Sequence, residues 1–262
     1  MSESAVVWGM VLVAGALIGS FLNVVIHRGP AMWGLIDDND ASRGSFIQPR
    51  SYCPACRKPI PAWRLIPIVS YALQRGCCAE CGARIPVRYP LVEIMGALAA
   101  GAAFSLFGLT LAAIFATLFG WFLIALAVID WEIGYLPNWL TLPLVPLGLI
   151  ANGFGAFATL SDALIGAVAG YLVFRLIAEA FIRLRGYEGL GQGDAKLLAA
   201  IGAWGGWSAL PLVIFAASVL TLIAALFLRL AHKNVTPKTA LAFGPGLCVA
   251  GYCAVMFFPQ GV

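Results

Sequence analysis

The stretch LAAIFATLFGWFLIALAVI, residues 111–129, is an apolar run that ends directly at Asp130. Its length approaches the roughly 20 residues that an α-helix needs to cross a bilayer. A charged side chain at the centre of a membrane helix costs roughly 2.5–3.5 kcal/mol on insertion scales, and less near an edge. We therefore predict that Asp130 lies at a membrane face, where an ionisable residue usually marks a function.

A second aspartate closes the turn Gly191-Gln192-Gly193-Asp194, just before the apolar run 195–206. The two glycines permit backbone conformations that other residues rarely adopt, and they let a substrate strand approach the carboxylate. Asp194 would open a helix, where its charge meets the positive helix end. Alone, Asp130 is equally well explained as a helix-end residue and Asp194 as an N-cap. Two aspartates at one membrane face indicate a pair that works together.

The composition of the whole chain excludes an ordinary soluble domain, because its surface would lack charge. Of 262 residues, 61% are hydrophobic and 11% are charged, and the mean hydropathy is +0.93. We predict an all-α polytopic membrane protein with about eight transmembrane segments, the sixth of them short. The predicted segments are 5–26, 90–107, 109–129, 138–155, 159–184, 195–206, 208–230 and 240–259.

The 16 Lys and Arg residues lean toward one side of this map. More than half lie between Arg28 and Arg88, and the loops near 108, 157 and 207 carry none. The positive-inside rule then places both aspartates and the polar stretch 28–89 in the cytoplasm, with both termini outside. The net charge of +4 thus reflects membrane orientation. We see no interleaved basic and aromatic patch that would indicate nucleic acid binding.

Three parts follow from this division. We predict that residues 1–27 form a first transmembrane helix. The segment does not read as a cleavable signal peptide, because no basic region precedes it and no small-residue cleavage site follows. Residues 28–89 form a small cytoplasmic module, and residues 90–262 form the membrane domain that carries both aspartates. At about 60 residues the module can barely build its own hydrophobic core, so we expect a stabilising cross-link such as a bound metal ion or disulfides.

Two C-x-x-C pairs in the module could provide this cross-link. They are Cys53-Pro-Ala-Cys56 and Cys78-Ala-Glu-Cys81, with 21 residues between them. Four thiolates complete the shell of one structural zinc ion. The alternatives are two disulfides or free thiols, and a reducing cytoplasm disfavours the disulfides. Cys77 directly precedes Cys78, but only Cys78 has the C-x-x-C spacing to Cys81. Cys248 and Cys253, in the last apolar segment, are interpreted as packing residues.

The aspartate pair suggests peptide hydrolysis. Two carboxylates close together cannot both ionise easily, so one acts as acid while the other acts as base on a water molecule. Lys196 either orients a substrate carbonyl or carboxylate, or extends to the interface as a surface cation. His27 and His232 both flank apolar segments, so a Ser-His or Cys-His hydrolase is poorly supported.

At this point the chain resembles the type IV prepilin peptidases, also called prepilin leader peptidase/N-methyltransferases, which belong with the GxGD membrane aspartyl proteases. The resemblance covers nearly the whole chain, and its combination of motifs is specific. Asn138 departs from it, since many members carry a second acid there, and Tyr187 stands where a basic residue is common. The resembling stretches are residues 19–28, the two cysteine pairs, 88–93, 130–138, 188–198 and 243–245.

The resemblance implies a bacterial inner-membrane enzyme of a type IV pilus or type II secretion system. It would remove the basic leader of prepilins or pseudopilins at the cytoplasmic face. It would then methylate the new N-terminal amine with S-adenosylmethionine. Asp130 and Asp194 would be the proteolytic pair, supported by Gly191, Gly193, Lys196 and Glu188. Glu93 is a candidate participant in methyl transfer.

Two other functions stay open. A general intramembrane aspartyl protease would use the same aspartates without methyl transfer, although the cysteine module argues for the prepilin branch. A cation-coupled transporter would use intramembrane acids such as Glu179 for ions. Glu179 lies four residues after Arg175, so an ion pair on one helix face is the simpler account. The small-residue pairs Gly15/Gly19 and Gly166/Gly170 predict close helix packing within the chain and no particular oligomeric state.

Overall fold

The computed structural model describes residues 3–36, 44–185, 191–231 and 242–258. Its described part is helical, and its only β pairing consists of two isolated bridges, Tyr52–Pro59 and Cys77–Arg84. The predicted all-α fold is therefore confirmed. The α-helices are α1 (Glu3–Met32), α2 (Val69–Leu73), α3 (Arg88–Phe107), α4 (Leu111–Ile133), α5 (Asn138–Gly153), α6 (Leu160–Arg185), α7 (Gln192–Gly205), α8 (Leu210–Ala231) and α9 (Gly244–Phe257). Short 3₁₀ turns span Ala62–Leu65 and Trp207–Ala209.

The chain divides into two compact units, Met1–Ala125 and Leu126–Val262, and α4 contributes to both. The first unit contains α1, α3 and the cysteine-rich stretch between them. The second contains both aspartates and helices α5 to α9. The predicted functional boundaries after residues 27 and 89 differ from this division and stay predictions about the modules. Helix α1 itself continues to Met32, past the predicted end of the first segment.

Five helices in the described residues are long and apolar enough to cross a membrane, which supports a multi-pass membrane protein but not eight full spans. Helices α5, α7 and α9 have 16, 14 and 14 residues. The roughly 20 residues that a span requires exceed all three lengths. The five candidate spans are Ser4–Met32, Arg88–Phe107, Leu111–Ile133, Leu160–Leu184 and Trp207–Leu230.

In the first unit, glycines bring the backbones of α1 and α3 together. A Cβ at Gly15 would lie 2.7 Å from the carbonyl oxygen of Gly96, and one at Gly19 would lie 2.7 Å from Glu93 Cα. Such distances leave no room for a side chain, which is how small residues allow close helix contact in membranes. The packing role predicted for Gly15 and Gly19 is confirmed.

In the second unit, the same device joins α6 to α7. A Cβ at Gly202 would overlap the carbonyl oxygen of Gly166, and one at Gly170 would lie 2.6 Å from that of Leu198. The helix α7 that follows the GxGD turn is consequently buried along most of its length. The packing role predicted for Gly166 and Gly170 is confirmed as well.

Asn152 anchors the far end of α7. Its amide Nδ2 donates to the carbonyl oxygens of Ala203 and Trp204, both at 2.9 Å. Its Oδ1 accepts the backbone N–H groups of Phe157 and Ala158 at 3.1 and 2.9 Å. A buried amide with all four bonds made specifies one arrangement, because each unmade bond would cost about 1–3 kcal/mol. Asn152 thus fixes the C-terminal end of α7, which is the end distant from the GxGD turn.

Arg175 and Glu179 pair on the surface of α6, with 3.1 Å between Nε and Oε1. This is the ion pair that their four-residue spacing predicts. Both side chains are 43% exposed. Glu179 therefore has a structural partner, and it gives the transporter hypothesis no support.

Candidate active site and metal centre

Asp130 lies in the last turns of α4 and is buried, with 6% of its surface exposed. The backbone N–H of Gly244 donates to its Oδ2 at 3.0 Å. Gly244 begins α9, so the carboxylate faces a helix N-terminus, whose free N–H groups favour negative charge. The chain turns after α4 at Gly134, whose φ of +67° favours glycine. A buried carboxylate is thereby held in one orientation.

Asp194 lies in the first turn of α7 and is buried as well, with 8% exposed. Its own N–H donates to the carbonyl oxygen of Gly191 at 3.1 Å, which closes the turn. A Cβ at Gly191 would lie 3.2 Å from Asp194 Oδ2, and one at Gly193 would lie 2.8 Å from Leu136 Cβ. The two glycines thus leave room for the carboxylate on one side and for the chain after α4 on the other.

The two aspartates lie close enough for the charge of Asp130 to act on Asp194. Both charges also act on the thiol of Cys248, a buried residue of α9. Two interacting carboxylates in a buried site favour a state with one proton between them. Such a pair can supply an acid and a base to one water molecule at the same time.

The side chain of Lys196 has a hydrogen-bond partner on the neighbouring helix α5. Its Nζ donates to Oδ1 of Asn138, the first residue of α5, at 2.8 Å. Lys196 is half-buried on α7, one half-turn beyond Asp194. The two roles predicted from the sequence, a substrate contact or a surface cation, stay predictions.

Two residues of α9 border the pair and were not predicted as site residues. Gly244 holds Asp130 through its N–H, and Cys248 lies in the field of both carboxylates. The signal for Gly244 was its place in residues 243–245, which carried the resemblance without an assigned role. Glu188, predicted as a supporting residue, and Tyr187 lie outside the described residues.

In the first unit, the four predicted cysteines form a cluster. The sulfur atoms of Cys53, Cys56, Cys78 and Cys81 all lie within 4.8 Å of one another. The Sγ atoms of Cys53 and Cys81 are 3.8 Å apart. Four sulfurs at about 2.3 Å from one tetrahedral zinc ion would be separated by about 3.8 Å. The donor set and its spacing therefore fit a zinc ion, and all four thiols are free.

The two pairs fold into matching turns, and the match explains why Cys77 stays outside the cluster. The N–H of Cys53 donates to the Lys58 carbonyl, and that of Cys78 donates to the Ala83 carbonyl. The flanking bridges are Tyr52–Pro59 and Cys77–Arg84. Cys77 thus occupies the place that Tyr52 has in the first turn. Glu80 of the second turn pairs with Lys58 of the first turn at 3.0 Å, and also with Arg64 of the 3₁₀ turn at 3.1 Å.

The pKa values of two cluster thiols, Cys78 and Cys81, also favour the binding of a metal cation. Backbone N–H groups of Glu80 and then Cys81 lower the pKa of Cys78 to about 7. The N–H of Ala83 favours the Cys81 thiolate too, but desolvation and the neighbouring thiols raise the pKa of Cys81 to about 12. Cys78 therefore ionises more readily than Cys81, and a bound dication would favour the thiolate form of all four ligands.

Glu93, the candidate for methyl transfer, is buried on α3 with 8% exposed. Its Oε2 accepts the backbone N–H of Ile68 at 2.7 Å. Ile68 has φ +63°, which is a strained conformation for a β-branched residue. The carboxylate thus fastens a strained turn of the cysteine module to the membrane helix. In the structure Glu93 is an anchor, and its methyl-transfer role stays a prediction.

The first unit contains a cavity of about 390 Å³ that is a candidate methyl-donor site. Its volume suits a small ligand, and Arg50 could meet a carboxylate while Phe46 could stack on a base. Arg28 already donates to the carbonyl oxygens of Ser45 and Pro49. S-adenosylmethionine also carries an ammonium and a sulfonium, and the described lining has no carboxylate to balance them. The cavity does not fit the methyl donor by itself, and we assign no residue to that site. The lining residues are Val24, Arg28, Phe46, Ile47, Pro49, Arg50, Ser51, Ile60, Pro61, Ala62 and Leu65.

Comparison with known families covers both parts of this arrangement. The family model for the bacterial peptidase A24 N-terminal domain matches residues 13–107, which include all four clustered cysteines. The model for the type IV leader peptidase family matches residues 117–226, which include both aspartates. The chain belongs to the type IV leader peptidase family. Membership in this protease family makes the buried pair Asp130 and Asp194 its candidate catalytic centre.

Three relatives of this family member are named prepilin leader peptidase/N-methyltransferase. The protein of Neisseria gonorrhoeae is 43% identical over 92% of this chain and 87% of its own length. That of Pseudomonas aeruginosa is 43% identical over 95% and 90%, respectively. That of Aeromonas hydrophila is 42% identical over 95% and 90%. No solved structure matches the chain.

Proposed function

We propose that this enzyme removes the basic leader of prepilins or pseudopilins and then methylates the new N-terminal amine. Asp130 and Asp194 are the proteolytic pair in this proposal. The observation that carries it is the juxtaposition of two buried, interacting carboxylates in a chain of this family. The relatives' name, which joins a leader peptidase to an N-methyltransferase, supports the two reactions.

In the proposed cleavage, one aspartate is ionised and the other is protonated. The carboxylate takes a proton from water, and the water oxygen attacks the carbonyl carbon of the scissile bond. The protonated aspartate gives its proton to the carbonyl oxygen, which forms a neutral tetrahedral intermediate. That intermediate then loses one hydroxyl proton to a carboxylate while the nitrogen gains a proton, and the C–N bond breaks. The products are a carboxylic acid and a free amine, and the pair again shares one proton.

The surroundings of the pair serve this chemistry. The Gly244 N–H occupies Asp130 Oδ2 and so fixes the plane of that carboxylate. The bend at Gly191 places no side chain beside Asp194, so an extended substrate backbone can come close. Burial strengthens the interaction between the two charges. In this proposal the pair shares one proton, and the Gly244 N–H orients Asp130 before substrate binds.

The distribution of charge supports a cytoplasmic site. Polar stretches that precede α3 and follow α6 and α8 carry the basic residues. By the positive-inside rule, the cysteine module and the aspartate pair then face the cytoplasm of an inner membrane. A basic leader retained on that side would reach Asp130 and Asp194 without crossing the bilayer.

S-adenosylmethionine would supply the methyl group as an electrophile to the amine that cleavage releases. The amine must be deprotonated to attack. Of this chain's own residues, the cysteine cluster and Glu93 support the reaction indirectly, because both hold the module of residues 44–89 in place.

Mass spectrometry of a prepilin substrate tests the function. The purified enzyme in liposomes should shorten the substrate by its leader and, with S-adenosylmethionine, add 14 Da, the mass of one CH₂ unit, to the new N-terminus. Cleavage with no methylation under any condition would favour a general intramembrane protease. Neither product, with cation flux across the same liposomes, would favour the transporter.

We further propose that Cys53, Cys56, Cys78 and Cys81 bind one structural zinc ion. The matched turns, the sulfur spacing and the small core of the module support this site. Elemental analysis of the purified protein should find about one zinc per chain. Cys53→Ser should lose most of it, because three ligands hold zinc far less tightly than four.

Cys77→Ser is the matched control, because Cys77 adjoins Cys78 but lies outside the cluster. It should keep full zinc content. Metal loss in Cys53→Ser should first increase proteolysis of the module and reduce methylation, while leader removal persists. A protein that contains no zinc when purified under reducing conditions would contradict the assignment.

A further inference from the structure

The bond between Lys196 and Asn138 joins the two segments that carry the aspartates. Asn138 begins α5, directly after the short turn that follows Asp130 and α4. Lys196 lies on α7, two residues after Asp194. The Nζ–Oδ1 distance of 2.8 Å is that of a good charge-assisted hydrogen bond.

A second contact lies beside this bond. Leu136, in the turn between α4 and α5, is buried with 4% exposed. It packs against Gly193, where a Cβ would come within 2.8 Å of Leu136 Cβ. The turn therefore sits directly on the backbone of the GxGD segment. An apolar contact and a polar one fix the same two pieces of chain together.

We propose that Lys196 and Asn138 form a clasp that sets the distance between Asp130 and Asp194. Lys196 is then a positioning residue, and so is Asn138. The inference rests on the proposed proteolytic role of the aspartates. Lys196 and Asn138 would position the two carboxylates without contacting substrate.

The architecture explains why a clasp is needed at this point. Helices α5 and α7 are already joined at their other ends, where Asn152 bonds the carbonyls of Ala203 and Trp204. Near the aspartates, the turn before α5 meets α7 through the Leu136 contact and the Lys196–Asn138 bond. Between Asp130 and Asn138 the chain bends at Gly134, a glycine at φ +67°. Without a tie, this flexible bend would let the turn move relative to α7.

The bond also argues against a direct substrate contact for Lys196. Its ammonium is already engaged, and a substrate carboxylate would have to replace Asn138 Oδ1. A lysine that grips substrate changes KM when it is removed, whereas a clasp changes kcat. An aspartate at 138 would keep the acceptor and add an ion pair, so the clasp tolerates that exchange.

The test measures leader removal by four variants of the full-length enzyme in liposomes. Lys196→Met removes the donor and Asn138→Leu removes the acceptor, and the double variant removes both. Each single variant should lose about 10- to 100-fold in kcat with KM unchanged, since a 1 Å misplacement of catalytic groups can cost about 100-fold. The double variant should be no worse than the singles, because both remove one interaction. Asn138→Asp should retain kcat within about threefold.

A second measurement does not depend on activity. Hydrogen exchange of the backbone at 133–137 should become faster in Lys196→Met and Asn138→Leu, and should stay as in wild type in Asn138→Asp. Lys58→Met is the control, because it makes the same change in the cysteine module. It should alter neither kcat nor exchange at 133–137.

The outcomes separate the two proposals. Unchanged exchange at 133–137 in both single variants would overturn the clasp, whatever the enzyme cleaves. A raised KM with normal kcat in Lys196→Met alone would overturn it in favour of substrate binding. If the wild-type enzyme removes no leader while exchange responds as expected, the proteolytic assignment fails and the clasp stands as a structural tie.

Discussion

Asp130→Asn and Asp194→Asn are each expected to abolish leader removal, with a loss of at least about 1,000-fold in kcat. Each replacement keeps the size of the side chain and removes one of the two groups that can exchange a proton. An isolated carboxylate can activate water, but no second acid then protonates the carbonyl oxygen. Removal of one member of a cooperating catalytic set costs nearly as much as removal of all.

The measurement is the rate of leader removal from a prepilin in liposomes, followed by mass spectrometry. Both variants should keep their zinc content and their thermal unfolding midpoint. Given a substrate whose leader has already been removed, both variants should still methylate it. In methyl transfer the nucleophile is the free amine of the substrate, and no peptide bond has to be hydrolysed. Near wild-type cleavage by either variant would refute the pair. Loss of methylation by a folded Asp194→Asn would instead point to one shared centre.

Two features of the candidate sites have strong local signals in the sequence. An aspartate at the end of an apolar run is anomalous by itself, and two C-x-x-C pairs have the spacing of a metal site. Both signals are carried by a few neighbouring residues. The structure then adds only that Cys53 and Cys78 share one cluster, and that Asp130 and Asp194 interact across the second unit.

The count of eight spans is not confirmed, because only five helices in the described residues have the length and hydropathy of a span. Hydropathy cannot distinguish lipid from protein as the surroundings of a helix. Helix α7 is apolar, yet its side chains are buried against neighbouring helices. Helix α5 contains Pro143 and Pro146 and ends at Gly153, short of a full crossing. A short helix in a membrane protein can be as apolar as a span when other helices surround it.

Contacts distant in sequence could not be predicted. Gly244 is 114 residues from Asp130, and nothing in either segment signals that a backbone N–H would meet a carboxylate there. The bond from Lys196 to Asn138 spans 58 residues. Neither of the two roles that the sequence left open for Lys196 included Asn138 as a partner.

Gly244→Ala is expected to remove most cleavage activity although it adds only a methyl group. The new Cβ would lie 2.5 Å from Asp130 Oδ2 and 2.9 Å from its Cγ. Real contacts are not that short, so the carboxylate must move. Asp130 is buried, and its neighbours leave it little freedom. A displacement of about 1 Å should cost about 100-fold in kcat, and the overpacking should cost about 1–3 kcal/mol of stability.

Gly153→Ala is the matched control, because it makes the same change on α5 at a glycine with nothing within 4 Å of the new methyl. It should leave kcat unchanged. Leader removal and thermal unfolding are measured for both variants in the same liposomes, together with methylation of a pre-cleaved substrate. Gly244→Ala should still methylate, because its methyl group perturbs only the second unit. Wild-type cleavage by Gly244→Ala would mean that Asp130 need not hold the orientation seen here, and the proposed role of the Gly244 N–H would be wrong.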